Sequence, residues 1–222
     1  HDGAAVTCDD FIAALADANF VDLSAFEGWY KQAGTPVLTA NRVTIEDSTG
    51  FGIAFSQKIP QTAAKTPQLP LPIPVRIGLV GHNGTPVPFR LAPDEPPAEE
   101  HVVLISGKTH VQPVYPDTKS KVVPSLLRNF SAPVILQDDL KPSERLQLLA
   151  HDPDIFNRWD AAQTLFVDQI MAIATDPNGA VDELAIMALG DALADGLANS
   201  SLLNMFKAGL LTLPAISVLE GK

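Results

Sequence analysis

The chain has 222 residues, of which 46% are hydrophobic and 18% charged, with a formal net charge of −11 at pH 7. That balance excludes a disordered polar chain and disfavours nucleic acid, whose phosphates an acidic protein repels. There is no apolar run of about 18 residues, hence no transmembrane helix, and a lone cysteine, Cys8, excludes an internal disulfide framework and suits a reducing compartment.

The charge is unevenly spread. Residues 1–34 carry six acids and one base, residues 35–138 eight acids and nine bases, and residues 139–222 twelve acids and five bases. A nearly neutral middle between acidic flanks divides the chain into three pieces. No basic start followed by an apolar run opens the chain, so no signal peptide is read. The first residue is not Met, and Glu220-Gly221-Lys222 follows soon after a fresh helical pattern begins. The expectation is a piece of a longer protein.

Residues 7–33 read as helical. Thr7 caps the first helix with Asp10 three residues on, and Phe11, Ala14, Leu15 and Ala18 form its apolar stripe. Asp22 or Ser24 starts a second helix with Phe26, Trp29 and Tyr30 on one face. Gly34 stops it and Pro36 prevents continuation. Two helices this short cannot bury those rings alone and need a neighbour.

Residues 35–138 hold fifteen of the nineteen prolines and turn to period-two patterning. Strands are expected at 37–39, 43–46, 53–56, 75–79, 102–105, 122–123 and 134–136. Asn83-Gly84 signals a tight turn, and Pro67 to Pro74 an extended stretch poor at ladder pairing. Pro133 lacks an N–H, so its strand should lie at a sheet edge or begin there. About seven short strands with frequent turns predict an immunoglobulin-like antiparallel β-sandwich, without the Cys…Trp…Cys signature of antibody domains.

From Ser143 the period becomes 3.6. Asp154 caps a helix of about five turns whose stripe is Ile155, Phe156, Trp159, Ala162, Phe166, Ile170 and Ile173. Pro177-Asn178-Gly179 breaks the chain. Leu184, Met187, Ala188, Leu193 and Leu197 make a second stripe and 202–211 a third, before Pro214 opens a last fragment. The overall expectation is a mixed, multi-domain chain, a sandwich flanked by an N-terminal helical segment and a C-terminal α-helical bundle or array.

Five segments, in order, carry a resemblance. They are His1-Asp2-Gly3 with Thr7-Cys8-Asp9-Asp10-Phe11; Trp29-Tyr30-Lys31-Gln32-Ala33-Gly34-Thr35-Pro36; Phe130-Ser131-Ala132-Pro133-Val134; Asn157-Arg158-Trp159-Asp160-Ala161-Ala162-Gln163; and Leu211-Thr212-Leu213-Pro214. Together they resemble the bacterial aminopeptidase N family of zinc metallo-aminopeptidases, of the gluzincin type. The resemblance implies three parts: residues 1–34 as the last helices of the catalytic domain, 35–138 as the sandwich, and 139–222 as the start of the C-terminal helical domain. It also implies a cytoplasmic parent enzyme that uses a zinc-bound water to remove N-terminal residues from peptides. In such a parent the sandwich would link and orient the helical domain, which covers the active site. The partners implied are the remaining domains of the same polypeptide and peptide substrates, with no nucleic acid and no membrane.

The family's chemistry needs a His-Glu-x-x-His helix, in which two His one turn apart hold zinc and the Glu activates water, and a G-x-M-E-N loop for the substrate amine. This chain contains no His-Glu dipeptide and no such loop. The family's catalytic Tyr lies upstream of the matched region, so neither Tyr30 nor Tyr115 takes that role. No catalytic, metal or substrate-binding residue is therefore assigned, and the segment alone is expected to bind no zinc and to be inactive.

Other constellations read blandly. His101 and His110, with Glu99 and Glu100 nearby, read as surface histidines beside a solvated acidic loop rather than a metal site. His1 and His151 each precede an Asp, a pairing that occurs by chance. Cys8 beside Asp9 and Asp10 sits where a thiolate is disfavoured. Arg158, Trp159 and Asp160 carry two readings: a helix cap with a salt bridge and a buried ring, or an interdomain contact that fastens the helices to the sandwich. The alternative for the whole chain is an independent immunoglobulin-like binding or adhesion module with no enzymatic role.

Overall fold

The computed structural model describes residues 3, 5–46, 50–60, 68–82, 84–176, 182–198, 200 and 202–220. The expectations for His1-Asp2, Asn83, Pro67 and the break at Pro177-Asn178-Gly179 fall outside these residues.

Helix α1 spans Cys8–Asn19, capped as its sequence dictates: Thr7 Oγ1 accepts from Asp10 N at 3.2 Å, and Asp10 Oδ2 accepts from Thr7 N at 2.8 Å. A 3-10 turn, Ser24–Glu27, runs into the short α2, Gly28–Lys31. The three rings of this segment part company. Trp29 packs on the sandwich core and donates Nε1 to Pro72 O at 3.0 Å, whereas Phe26 and Tyr30 stay exposed as an edge-to-face pair. Phe11 and Leu15 of α1 are also exposed, and only Ile12 is buried there.

Among the described residues eight strands follow: β1 Val37–Thr44, β2 Phe51–Lys58, β3 Ile73–Gly81, β4 Phe89–Arg90, β5 Glu100–Ile105, β6 Thr109–Pro116, β7 Val122–Leu126 and β8 Ile135–Asp138. They form two sheets, ordered β4-β6-β2-β1-β8 and β5-β3-β7. Inward residues of both, among them Leu38, Phe55, Ile77, Leu79, Phe89 and Ile105, make one core. This is the Ig-like sandwich.

Some strand expectations need correction. The two strands expected at 37–39 and 43–46 are one, because Asn41 and Arg42 keep pairing with Ala54 and Ile53; Asn41 is exposed and the Arg42 side chain is held by Glu144. β4 and β6 went unread because β6 carries Pro113 and Pro116. The structure tolerates them since β4 covers β6 only at Tyr115 and Pro116, leaving Pro113 on an open edge, while opposite Pro116 the Phe89 N–H and C=O bond to Ala98 instead. Pro74 lies in β3 against Leu104, where β7 does not reach, so its missing N–H breaks no second ladder. Pro133 precedes β8, which is an edge strand and pairs parallel with β1, the one departure from the antiparallel pattern among the described residues.

The helices are α3 Pro142–His151, α4 Ile155–Thr175, α5 Glu183–Ala198, α6 Asn204–Leu210 and α7 Ile216–Glu220. Their core includes Leu148, Leu149, Ala161, Ala162, Leu165, Leu189 and Leu210. It also takes in Val80 of β3 and Val123 of β7, from the outer face of the smaller sheet. The helical array is thus built directly on the sandwich. On α4 the buried face is Asn157, Arg158, Ala161, Ala162, Leu165 and Val167, turned about one position from the aromatic stripe read in the sequence. Two alanines let α4 lie close to its neighbours, which displaces Phe156 and Trp159 to the rim, each almost two-fifths exposed. On α5, likewise, Leu189, Ala192 and Gly196 are buried while Leu184 and Met187 are exposed.

Candidate functional site

The chemistry of this chain is concentrated where the sandwich meets the helices. After β7 the backbone enters a left-handed stretch, with φ of 57° at Leu127, 55° at Asn129 and 50° at Phe130. Non-glycine residues adopt this region at a cost, and a cluster of three persists only where surrounding contacts over-determine it. Those contacts are present. Arg128 is 1% exposed; its Nε donates to Ser125 Oγ at 2.8 Å, one terminal nitrogen lies 3.2 Å from Glu100 Oε1, and the other 3.3 Å from Asp152 Oδ1. Asn129 N donates to Asp154 Oδ2 at 2.7 Å.

The guanidinium crosses directly over Gly78, where a Cβ would stand 2.0 Å from the Arg128 Cζ. Gly78 therefore makes room for Arg128. Asp152 ends α3, is fully buried, and accepts from Asp154 N at 2.9 Å. Its Oδ2 is buried without a hydrogen-bond partner among the described residues. Burial pushes the Asp152 carboxyl above its ordinary pKa, against the opposing pull of Arg128 and Ser125. Asp154 caps α4 through Asn157 N at 2.9 Å, and Asn157 Nδ2 reaches back to Ser125 Oγ at 2.8 Å and Leu126 O at 2.9 Å.

A second pin joins β1 to α3. Arg42 grips Glu144 with two bonds, 2.8 and 2.7 Å, and Asp139 with its Nε at 3.2 Å. Glu144 is 2% exposed and also accepts from Lys141 N at 3.0 Å. The Arg42 guanidinium, ahead of the Lys141 backbone bond, pulls the Glu144 carboxyl down to about 2. A third contact is Gln147 Nε2, donating to Gly81 O at 2.6 Å and Val80 O at 3.2 Å.

Of the residues singled out in the sequence, Arg158 is 2% exposed, and its two hydrogen bonds among the described residues run to α3: Nε to Leu149 O at 3.0 Å and Nη2 to Ala150 O at 2.6 Å. It satisfies the carbonyls at the end of the helix that Asp152 terminates. Desolvation lowers its pKa, and Asp152 opposes that. Trp159 is 39% exposed rather than largely buried; its ring lies 5.7 Å from Phe156, which lies 5.3 Å from Phe130. Asp160 is exposed and lines the same groove as Trp159. That groove, of about 670 Å³, lies between β8, α4 and the chain after α6.

Sequence reasoning missed Arg128, Asp152, Asn157, Glu144 and Arg42. The available signal was Gly78, an isolated glycine inside a strand pattern, which marks a close approach by another group. His101 is half-buried and binds Phe89 O through Nε2 at 2.8 Å, while His110 Nε2 lies 3.3 Å from Gln112 Oε1. Cys8 is exposed. Among the described residues no three His, Cys, Asp or Glu side chains form a set able to hold a metal. No described helix is long and apolar enough to cross a membrane.

Known proteins match the whole arrangement. Residues 34–139 match a domain of unknown function (DUF3458) with an Ig-like fold, and residues 142–222 its companion domain, described as ARM repeats. Aminopeptidase N of Escherichia coli K12 is 34% identical over 98% of this chain and 24% of its own length. Aminopeptidase N of Caulobacter vibrioides is 39% identical over 97% of this chain and 23% of its own. A crystal structure of Legionella pneumophila aminopeptidase A in complex with aspartic acid shares the fold, with a TM-score of 0.77 at 24% identity over 98% of this chain and 23% of that one. The chain spans about a quarter of the length of these relatives.

Proposed function

This chain belongs to the aminopeptidase N family, as its non-catalytic Ig-like and helical region, and we propose that it sets the angle between the catalytic part and the helical array of a zinc-dependent, cytoplasmic aminopeptidase. In this reading residues 1–34 close the catalytic domain, residues 35–138 form the spacer, and residues 139–222 begin the helical domain that covers the active site. The parent removes N-terminal residues from peptides with zinc held outside this segment, and the partners of this segment are the other domains of that polypeptide.

The observation that carries the reading is the buried polar clasp, in which Arg128 and Asn157 bind across the junction to groups that solvent does not reach. A loosely tethered domain would need no such contact, and truncating one member of a buried pair is strongly destabilising. Arg158, with Trp159 and Asp160 beside it, serves the same junction indirectly: it secures the end of α3 and so places Asp152 against Arg128. The test is Arg128→Met in the full-length enzyme. Hydrolysis of longer peptides should change more than hydrolysis of dipeptides, and protease should cut faster near residues 139–143. Equal effects on both substrate lengths, with unchanged cleavage, would reject the orienting role.

A further inference from the structure

We infer that Gly196 of α5 is a positioning residue for the junction between helices and sandwich, acting through Arg158 on the end of α3 that carries Asp152. α5 packs on α3 with Leu189, Ala192 and Gly196, which follow one another along one helix face. Gly196 lies directly over the Arg158 guanidinium: a Cβ there would stand 3.0 Å from Arg158 Nη2 and 3.3 Å from Leu149 O. Optimal contacts for a carbon atom lie at about 3.5 Å or more, so one side would have to retreat. Nη2 has little room to do so. It donates to Ala150 O at 2.6 Å, while Nε of the same rigid plane donates to Leu149 O at 3.0 Å. The missing side chain at 196 is what lets α5 and a buried guanidinium share the end of α3.

That end carries the clasp. Asp152 follows α3, its N donates to Leu148 O at 2.8 Å, and its Oδ1 lies 3.3 Å from Arg128. Displacing Arg158 leaves the Leu149 and Ala150 carbonyls without their donor and loosens the turn from which Asp152 reaches Arg128. Asp152 also opposes the desolvation of Arg158, so two buried guanidiniums, one on each side of the junction, depend on one carboxylate. Gly190 supplies the contrast: it is exposed on the same helix, and nothing lies within 4 Å of the position its Cβ would take. The inference rests on the clasp of Arg128 and Asp152 and does not depend on the enzyme reading.

Thermal melts and limited proteolysis of the 222-residue chain test it. Gly190→Ala should melt at or above the wild-type temperature and be cut near residues 139–143 at the wild-type rate, because alanine is the better helix former. Gly196→Ala is the same chemical change on the same helix and should do the reverse. Its melting temperature should fall by about 3 °C or more, and cleavage near residues 139–143 should run about tenfold faster. Arg158→Lys keeps the charge but removes the nitrogen that faces residue 196, and in that background Gly196→Ala should cost less than about 1 °C. A fold recovered in that background supports the inference equally where Gly196→Ala alone does not fold. Gly196→Ala melting no lower than Gly190→Ala, or costing the same in both Arg158 backgrounds, would overturn it. So would wild-type cleavage in Gly196→Ala beside faster cleavage in Arg128→Met, an outcome that leaves the orienting role of the clasp intact.

Discussion

Arg128 and Asp152 meet 3.3 Å apart with neither side chain appreciably open to solvent, one following the last strand of the smaller sheet and the other ending the first helix of the array. The two layers are therefore joined by buried charge as well as by the shared apolar core of Val80, Val123 and Leu149. Burying a charge costs several kcal/mol unless it is paired and hydrogen-bonded, so the partners depend on each other.

Arg128→Met should destabilise the chain by about 3–5 kcal/mol in urea unfolding, because it strands Asp152 and leaves Glu100 with Arg76 alone. Asp152→Asn should cost clearly less, since Oδ2 has no partner to lose. A larger loss for Asp152→Asn than for Arg128→Met would contradict this account of the pair.

Acid should weaken the pin that Glu144 makes with Arg42. The Glu144 pKa is lowered in the folded state to about 2 from an ordinary 4.5, so its stabilisation is complete above 4.5 and is lost as pH falls toward 2. Screened by solvent on the Arg42 side, the pin is worth about 1–2 kcal/mol. Asp152 runs the other way: its raised pKa means its contribution is present below 3.8 and declines as pH rises through the folded value. Glu144→Gln should flatten the acid limb of stability against pH, while Asp152→Asn leaves that limb in place. Superimposable acid limbs for wild type and Glu144→Gln would disprove the assignment.

Gly78→Ala introduces a methyl group where the Arg128 guanidinium already lies. The guanidinium must move, and with it the bonds to Ser125, Glu100 and Asp152. A loss of about 3 kcal/mol or more is expected, read as a fall in melting temperature. In an Arg128→Met background the same alanine should cost much less, and simple additivity of the two changes would show that Gly78 serves something else.

Trp159→Ala should cost only about 1–2 kcal/mol, below the range for a fully buried ring, because two-fifths of its surface is open. Arg158→Ala, at the neighbouring position, should cost more than the roughly 1 kcal/mol of an exposed ion pair, since two α3 carbonyls lose a buried donor. Thermal melts of the two variants decide it: Trp159→Ala proving the worse would reverse the burial assigned here.

Local rules were legible in the sequence. Thr7 and Asp10 form the cap that their spacing announces, Asp154 caps α4, and the change of period near residue 140 coincides with the passage from β8 to α3, because capping and periodicity depend only on near neighbours. Motif order along the chain carried the family as well. What tertiary structure alone decided was which face each element buries. The aromatic stripe of α4 looked like the core, yet Ala161 and Ala162 face inward because close helix packing rewards small side chains where neighbours press from both sides. Prolines hid β6, since whether a missing N–H matters depends on what lies alongside the strand. Arg128 was invisible for the same reason: its burial is tolerable only with Ser125, Glu100, Asp152 and the gap over Gly78 assembled around it, and those residues are brought together by the fold rather than by their spacing.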